Sequence, residues 1–244
     1  MTAIHIFDCS IFFMLGASVA SFLLVWATRL QKKKISILKP SRCHFCNKKL
    51  LPQQLIPVFS WLFQLGKCGC KERQLPLLYV LVEIFLGAVF VIIFNLLPLV
   101  DALFFMVFAS LLLFFLLTDY LHQLLHVYAM VFLMTIGLIY GFWIKKTFNE
   151  NIIGAGVGFL MMLMINSIYK AIKKRDGFGG GDKYLMASIG AWVGPVKIIA
   201  LLFLSSWIGA LVGIALVLRK RAHLMTALPM GVFIVLASPL LVFF

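Results

Sequence analysis

Long, uninterrupted apolar blocks constrain this chain more than any other feature. They fall at roughly 7–28, 78–97, 99–117, 125–144, 151–169, 185–196, 198–218 and 225–244. Most reach the ~20 residues that a helix needs to cross ~30 Å of hydrocarbon. In lipid every backbone N–H and C=O needs a partner within the protein, so these blocks are expected to be helices. A membrane β-barrel would instead show ten-residue strands of alternating polarity, and the sequence has none. Composition agrees: 63% of residues are hydrophobic, 12% are charged and the mean hydropathy is +1.07. A soluble domain is about a quarter charged and under half apolar. The expected fold is therefore an all-α polytopic membrane protein with about eight transmembrane helices. The sixth block is short and interrupted by Gly190, Gly194 and Pro195.

The formal net charge of +14 raises the question of nucleic-acid binding. The placement of the charge answers it. Eleven of the 22 Lys and Arg lie between residues 29 and 73, five between 170 and 183, and three at Arg219, Lys220 and Arg221. With an outside N-terminus and eight crossings, these three clusters share one face, and the positive-inside rule makes it cytoplasmic. Topogenesis and anionic headgroups account for the basic pI of about 9.8 without direct contact to nucleic acid. The first apolar stretch is a full span followed by Arg29, Lys32, Lys33 and Lys34, a stop-transfer pattern rather than a cleaved signal peptide. The expected layout is a first transmembrane helix over 1–28, a basic cytoplasmic loop over 29–76, and a transmembrane core over 77–244.

That loop holds four of the five cysteines. Cys43 and Cys46 form a C-x-x-C pair; twenty-one residues later Cys68 and Cys70 form a C-x-C pair around Gly69. In a reducing compartment, close pairs of thiols read as metal ligands more readily than as disulfides. Two short knuckles place four thiolates around zinc, and metal binding would supply folding energy to a loop with little apolar core. His44 is a substitute ligand for the shortened second pair. The other reading is a basic loop with incidental thiols. Cys9, within the first helix, reads as a small apolar residue.

Acids are scarce: Asp8, Glu72, Glu83, Asp101, Asp119, Glu150, Asp176 and Asp182. A charge at membrane depth is costly, so one found there is a functional candidate. Asp119 follows the apolar run 110–117 and Thr118. Asp182 follows Gly179, Gly180 and Gly181 and opens the next apolar block. In the expected topology the third helix reaches the cytoplasmic face at Asp119 and the sixth leaves it at Asp182. Two acids at one depth of one face are what aspartic-protease chemistry requires, because two close carboxyls share one proton and divide the work of base and acid. The glycines would let the backbone bend tightly and a substrate strand approach. Taken singly, Asp182 also reads as a helix cap and Asp119 as a solvated residue at a helix end. His122 and His126 read either as bases or as interfacial side chains.

These residues resemble the prepilin peptidases, membrane aspartic proteases with a G-x-G-D motif. Gly179-Gly180-Gly181-Asp182-Lys183, with Leu185, Ala187 and Gly190-Ala191-Trp192-Val193-Gly194, is similar to the signature around the family's second catalytic aspartate. Thr118-Asp119 followed by His122-Gln123-Leu124-Leu125 is similar to the segment that holds its first. Ala20-Ser21-Phe22-Leu23 with Arg29, Ser41-Arg42-Cys43, Ile56-Pro57-Val58-Phe59-Ser60-Trp61 and Leu228-Pro229-Met230-Gly231 extend the resemblance along nearly the whole chain.

The resemblance implies a membrane-embedded aspartic endopeptidase that removes the basic leader of type IV prepilin or pseudopilin precursors at the cytoplasmic face of a bacterial membrane. Asp119 and Asp182 would be catalytic, with Gly179, Gly180, Gly181 and Lys183 in the active-site loop. Many members then methylate the new N-terminus with S-adenosylmethionine, although the chain carries no glycine-rich strand-turn-helix fingerprint for a nucleotide-like cofactor. The chain is most similar to competence-type members of Gram-positive bacteria, which act on pseudopilins of a DNA-uptake machine. The family's leucine-proline-aspartate after the first catalytic acid is here Leu125-His126-Val127, so Asp119 is the only catalytic candidate in its segment. The family match also places an acid at Glu83, which reads as a support for the active site or substrate, or as a snorkelling interfacial acid. Two rivals stand beside this reading. One is a transporter or assembly scaffold using the same acids for ions, against which the sequence shows no inverted repeat. The other is a different G-x-G-D protease.

Overall fold

The computed structural model describes residues 3–30, 49, 55–64, 66–67, 76–174, 179–219 and 229–243. Eight α-helices follow one another among them: α1 (Ala3–Leu30), α2 (Phe59–Phe63), α3 (Leu77–Leu96), α4 (Leu99–His122), α5 (Val127–Tyr140), α6 (Phe148–Lys173), α7 (Asp182–Leu218) and α8 (Met230–Phe243). A π-helical turn, Gly141–Lys145, prolongs α5. Six of these helices are long and apolar enough to cross a membrane. Large apolar side chains such as Phe85, Phe132, Phe203 and Trp207 lie on their outer faces. Lipid, not a protein core, covers such surfaces. The hydroxyls of Ser18, Ser110, Ser167 and Ser238 donate back to carbonyls of their own helices, which satisfies them without water.

The expected all-α polytopic fold is observed, with differences in its spans. The sixth and seventh blocks are one 37-residue element, α7, broken at Gly194, whose φ of 79° and ψ of 178° leave the helical region. Pro195 follows and has no N–H to donate, so the break and the proline coincide. The third helix runs on to His122 rather than ending at 117, which puts Asp119 inside its last turn. The last helix is 14 residues long, shorter than the block that suggested it.

The chain forms two compact units, Met1–Phe114 and Phe115–Phe244, and α4 runs through the boundary. In the first unit α1 packs on α3. Gly16 and Gly87 face each other there: a methyl on Gly16 would stand 2.7 Å from the Leu86 carbonyl oxygen and 3.0 Å from Gly87 Cα. Small residues let membrane helices approach this closely and gain backbone packing. Beside them Ala17, Val58 and Val80 form a small buried cluster edged by Phe13 and Trp61. The second unit is built on α7, which packs against α5, α6 and α8. A methyl on Gly154 of α6 would meet the Gly190 carbonyl of α7, and one on Gly158 would lie 2.6 Å from that of Met186. On the α5 side Trp192 donates its indole N–H to the Leu133 carbonyl at 2.9 Å and stacks on Tyr140.

Candidate active site

Asp119 and Asp182 reach one site in the second unit from opposite ends of their helices. Asp119 stands in the last turn of α4. That helix ends where Gln123 takes a left-handed conformation (φ 51°) and its N–H closes on the Asp119 carbonyl at 2.9 Å; a residue in this conformation is a common helix stop. The chain then runs through Leu124, Leu125 and His126 into α5. Asp182 is the first residue of α7.

Each carboxylate is held by backbone. Asp119 Oδ2 accepts the N–H of Val232, in the first turn of α8, at 2.9 Å. Asp182 Oδ2 accepts the N–H of Gly179 at 3.0 Å, and the Asp182 N–H returns a bond to the Gly179 carbonyl at 3.1 Å. Such charge-assisted bonds fix a carboxylate far better than a rotamer preference does. The two acids are 5% and 4% exposed and close enough for the charge of Asp119 to act on Asp182. Asp119 is buried, not solvated. Asp182 stands in the first turn of α7, where a helix favours a carboxylate, and its oxygen also reaches back to a residue before the helix.

Gly179, Gly180 and Gly181 form the expected tight turn, closed by the Asp182 N–H on the Gly179 carbonyl, and none of the three needs a left-handed backbone to make it. Gly181 lies against Leu125, where a methyl would come within 2.7 Å of the leucine Cβ, while a methyl on Gly180 would meet nothing within 4 Å. A cavity opens beside the loop, bordered by Met162, Asn166, Lys170, Gly179, Gly180 and Lys183. The Lys183 ammonium lies 5.2 Å from the Tyr184 ring centre and 5.9 Å from that of Phe159, so cation–π attraction steers it. His126 sits in the linker after Asp119. Burial and the neighbouring His122 charge hold its imidazole below the ordinary range.

Glu83 belongs to the first unit. It is 7% exposed on α3, and its Oε2 accepts the Val58 N–H at 2.7 Å. It is thus a latch between α3 and the segment before α2 rather than a snorkelling side chain. Val58 has a φ of 62°, a strained conformation for a β-branched residue. The candidate metal ligands Cys43, Cys46, Cys68 and Cys70 lie outside the described residues. Among the described residues, no group of three or more His, Cys, Asp and Glu could hold a metal ion.

Reasoning from sequence left three site residues without a role: Leu125, Gly231 and Val232. A methyl on Gly231 would stand 2.6 Å from Asp119 Oδ2 and 3.2 Å from Leu125 Cδ1. The signal in the sequence was the Pro229-Met230-Gly231 stretch, which opens a short apolar helix.

Comparison with known proteins agrees with this layout. Residues 14–97 match the bacterial peptidase A24 N-terminal domain, and residues 106–214 match the type IV leader peptidase family. A prepilin leader peptidase/N-methyltransferase of Bacillus subtilis (strain 168) is 33% identical over 232 residues, which cover 90% of this chain and 88% of that protein. Proteins of the same name from Dichelobacter nodosus and Pseudomonas putida are each 30% identical. Their matches cover 86% and 82% of this chain and 73% and 70% of theirs. No solved structure matches the chain. With two buried acids on facing helix ends and relatives that match along most of its length, the chain belongs to the type IV leader peptidase family.

Proposed function

We propose that this chain is a membrane aspartic endopeptidase that cuts the basic leader from type IV prepilin-like precursors, with Asp119 and Asp182 as its catalytic pair. The observation that carries the proposal is that two acids 63 residues apart in sequence are buried together, each gripped by one backbone N–H. Two carboxyls this close hold one proton between them. The ionised carboxyl takes a proton from water as the water oxygen attacks the scissile carbonyl carbon. The protonated carboxyl donates to the carbonyl oxygen, which yields a tetrahedral diol. Collapse of the diol returns a proton to the leaving nitrogen, breaks the C–N bond and restores the shared proton. The open side of Gly180 gives a substrate backbone a path to the pair, and Lys183 lies beside that path. The basic clusters at 29–73 and 170–183 support a cytoplasmic orientation, where a short basic leader would present itself.

The test is cleavage of a prepilin precursor by protein reconstituted in lipid vesicles. Asp119→Asn and Asp182→Asn should each abolish cleavage while the protein still inserts. Near wild-type processing by either variant would overturn the pair. The relatives' shared name, prepilin leader peptidase/N-methyltransferase, favours a second activity, methylation of the new N-terminus. Labelled S-adenosylmethionine with cleaved substrate tests it. Cys43, Cys46, Cys68 and Cys70 have the donor chemistry of a structural zinc site. Metal analysis should then find about one zinc per chain.

A further inference from the structure

We infer that Leu125 is a positioning residue, a wedge whose bulk sets the separation of Asp119 and Asp182. The inference rests on the catalytic pair proposed above and adds the device that spaces it. Leu125 leaves the linker six residues after Asp119 and lies against two glycines, one just before α7 and one in the first turn of α8. On one side is Gly181, the residue immediately before Asp182. On the other is Gly231, which abuts the Asp119 carboxylate and precedes Val232, its hydrogen-bond donor. A methyl at 181 would stand 2.7 Å from Leu125 Cβ and 3.3 Å from its Cδ1, and a methyl at 231 would stand 3.2 Å from the same Cδ1. A methyl at either glycine would crowd the leucine, so one leucine side chain fills the space between the support of one acid and the support of the other.

This arrangement has a mechanical consequence. The backbone donors fix how each carboxylate is turned, but they act within separate supports: Gly179 for Asp182 and the start of α8 for Asp119. Leu125 is in contact with both supports. Shortening it lets the start of α7 close toward the start of α8. Adding a methyl at 181 drives them apart. A shift of about 1 Å in reacting groups costs as much as ~100-fold in rate.

The experiment measures prepilin cleavage against pH for the full chain in lipid vesicles. Leu125→Ala and Gly181→Ala should each lower kcat by about 10- to 100-fold, with KM changed less than about twofold. The spacing between the two limbs of the pH profile should move in opposite directions. Closer carboxyls titrate more strongly as a pair and spread the limbs, whereas separated ones draw the limbs together. His122 and His126, the ionisable side chains of the same segment, and Lys183, next to Asp182, are unchanged in both variants. Leu125→Met keeps the wedge's length and should restore the wild-type profile. Leu124→Ala, at the exposed neighbouring residue, should leave it unchanged. Should Leu125→Ala fail to accumulate, Gly181→Ala and Leu125→Met carry the test. Limb spacing at the wild-type value in the Ala variants, or a shift of the same sign in both, overturns the wedge. If that occurs while Asp119→Asn and Asp182→Asn are inactive, the wedge fails and the pair stands; active Asn variants reject the pair itself.

Discussion

Asn151 Nδ2 lies 2.6 Å from the carbonyl oxygen of Ala191. In an unbroken helix that oxygen would accept the N–H four residues on, at position 195, and Pro195 has none. A side chain from α6 thus supplies the donor that the break in α7 removes. The same amide reaches the Gly137 carbonyl of α5 at 3.3 Å, and its oxygen accepts the Thr147 hydroxyl at 2.9 Å. One buried residue ties three helices at the point where the helix carrying Asp182 is interrupted.

Asn151→Ala is therefore expected to destabilise the second unit by about 1–3 kcal/mol, the cost of leaving a buried carbonyl without its partner. Asn151→Asp keeps the shape and loses the donors, and it should cost at least as much because it buries a charge against two carbonyl oxygens. Thermal unfolding in detergent measures both. Wild-type stability in the Asp variant would show that volume, not donation, is what position 151 requires.

The seam between α6 and α7 predicts a contrast among glycines on one helix. Gly154→Ala places a methyl against the Gly190 carbonyl and 2.7 Å from the Gly194 backbone, so the helices must part. Backbone cannot yield as a flexible side chain does, and a loss of about 1–3 kcal/mol is expected. Gly156→Ala, whose methyl meets nothing within 4 Å, should leave the melting temperature within about 2 °C of wild type. Equal effects at the two positions would mean that helix propensity, not contact, governs the seam.

Much of this was legible in the sequence because lipid leaves few choices. Apolar length gave the helices, scarcity of charge drew attention to Asp119 and Asp182, and basic clusters suggested an orientation. What stayed hidden depends on three-dimensional contact. Leu125 and Asn151 carry no sign in their neighbourhoods that one touches two glycines or that the other repairs a proline break. The merged α7 was missed for a related reason: Gly194 and Pro195 interrupt hydropathy as a loop would, yet helix resumes at once because the freed Ala191 carbonyl finds a donor elsewhere. The triple glycine signalled the tight turn that is there, but not that Gly181 also leaves room for Leu125.

Glu83 yields a prediction about the segment before α2. Glu83→Ala removes the acceptor of the Val58 N–H, and Val58 is then held at its strained φ of 62° by packing and by the Leu62 N–H on its carbonyl. A hydrogen bond to a charged acceptor contributes about 1.5–3 kcal/mol, so limited proteolysis within 55–64 should quicken by roughly 10-fold or more in that variant. Glu83→Gln retains a carbonyl acceptor and should be cut at an intermediate rate. Unchanged cleavage in the Ala variant would show that the latch is idle.

The last prediction concerns pH and His126. Burial and the charge of His122 keep its imidazole below the ordinary value of 6.5 in the folded protein. The unfolded chain binds a proton near that ordinary value, while the folded chain resists it. Between the two values the unfolded state holds more protons, so stability falls as the pH drops below about 6.5 and levels off once the folded imidazole also titrates. Thermal unfolding from pH 7.5 down to pH 5 should show a falling melting temperature. His126→Gln, which cannot titrate, should flatten that slope. A variant with the wild-type slope would place the acid sensitivity in other groups. A flattened slope with cleavage intact would mark His126 as an interfacial side chain and not a catalytic base.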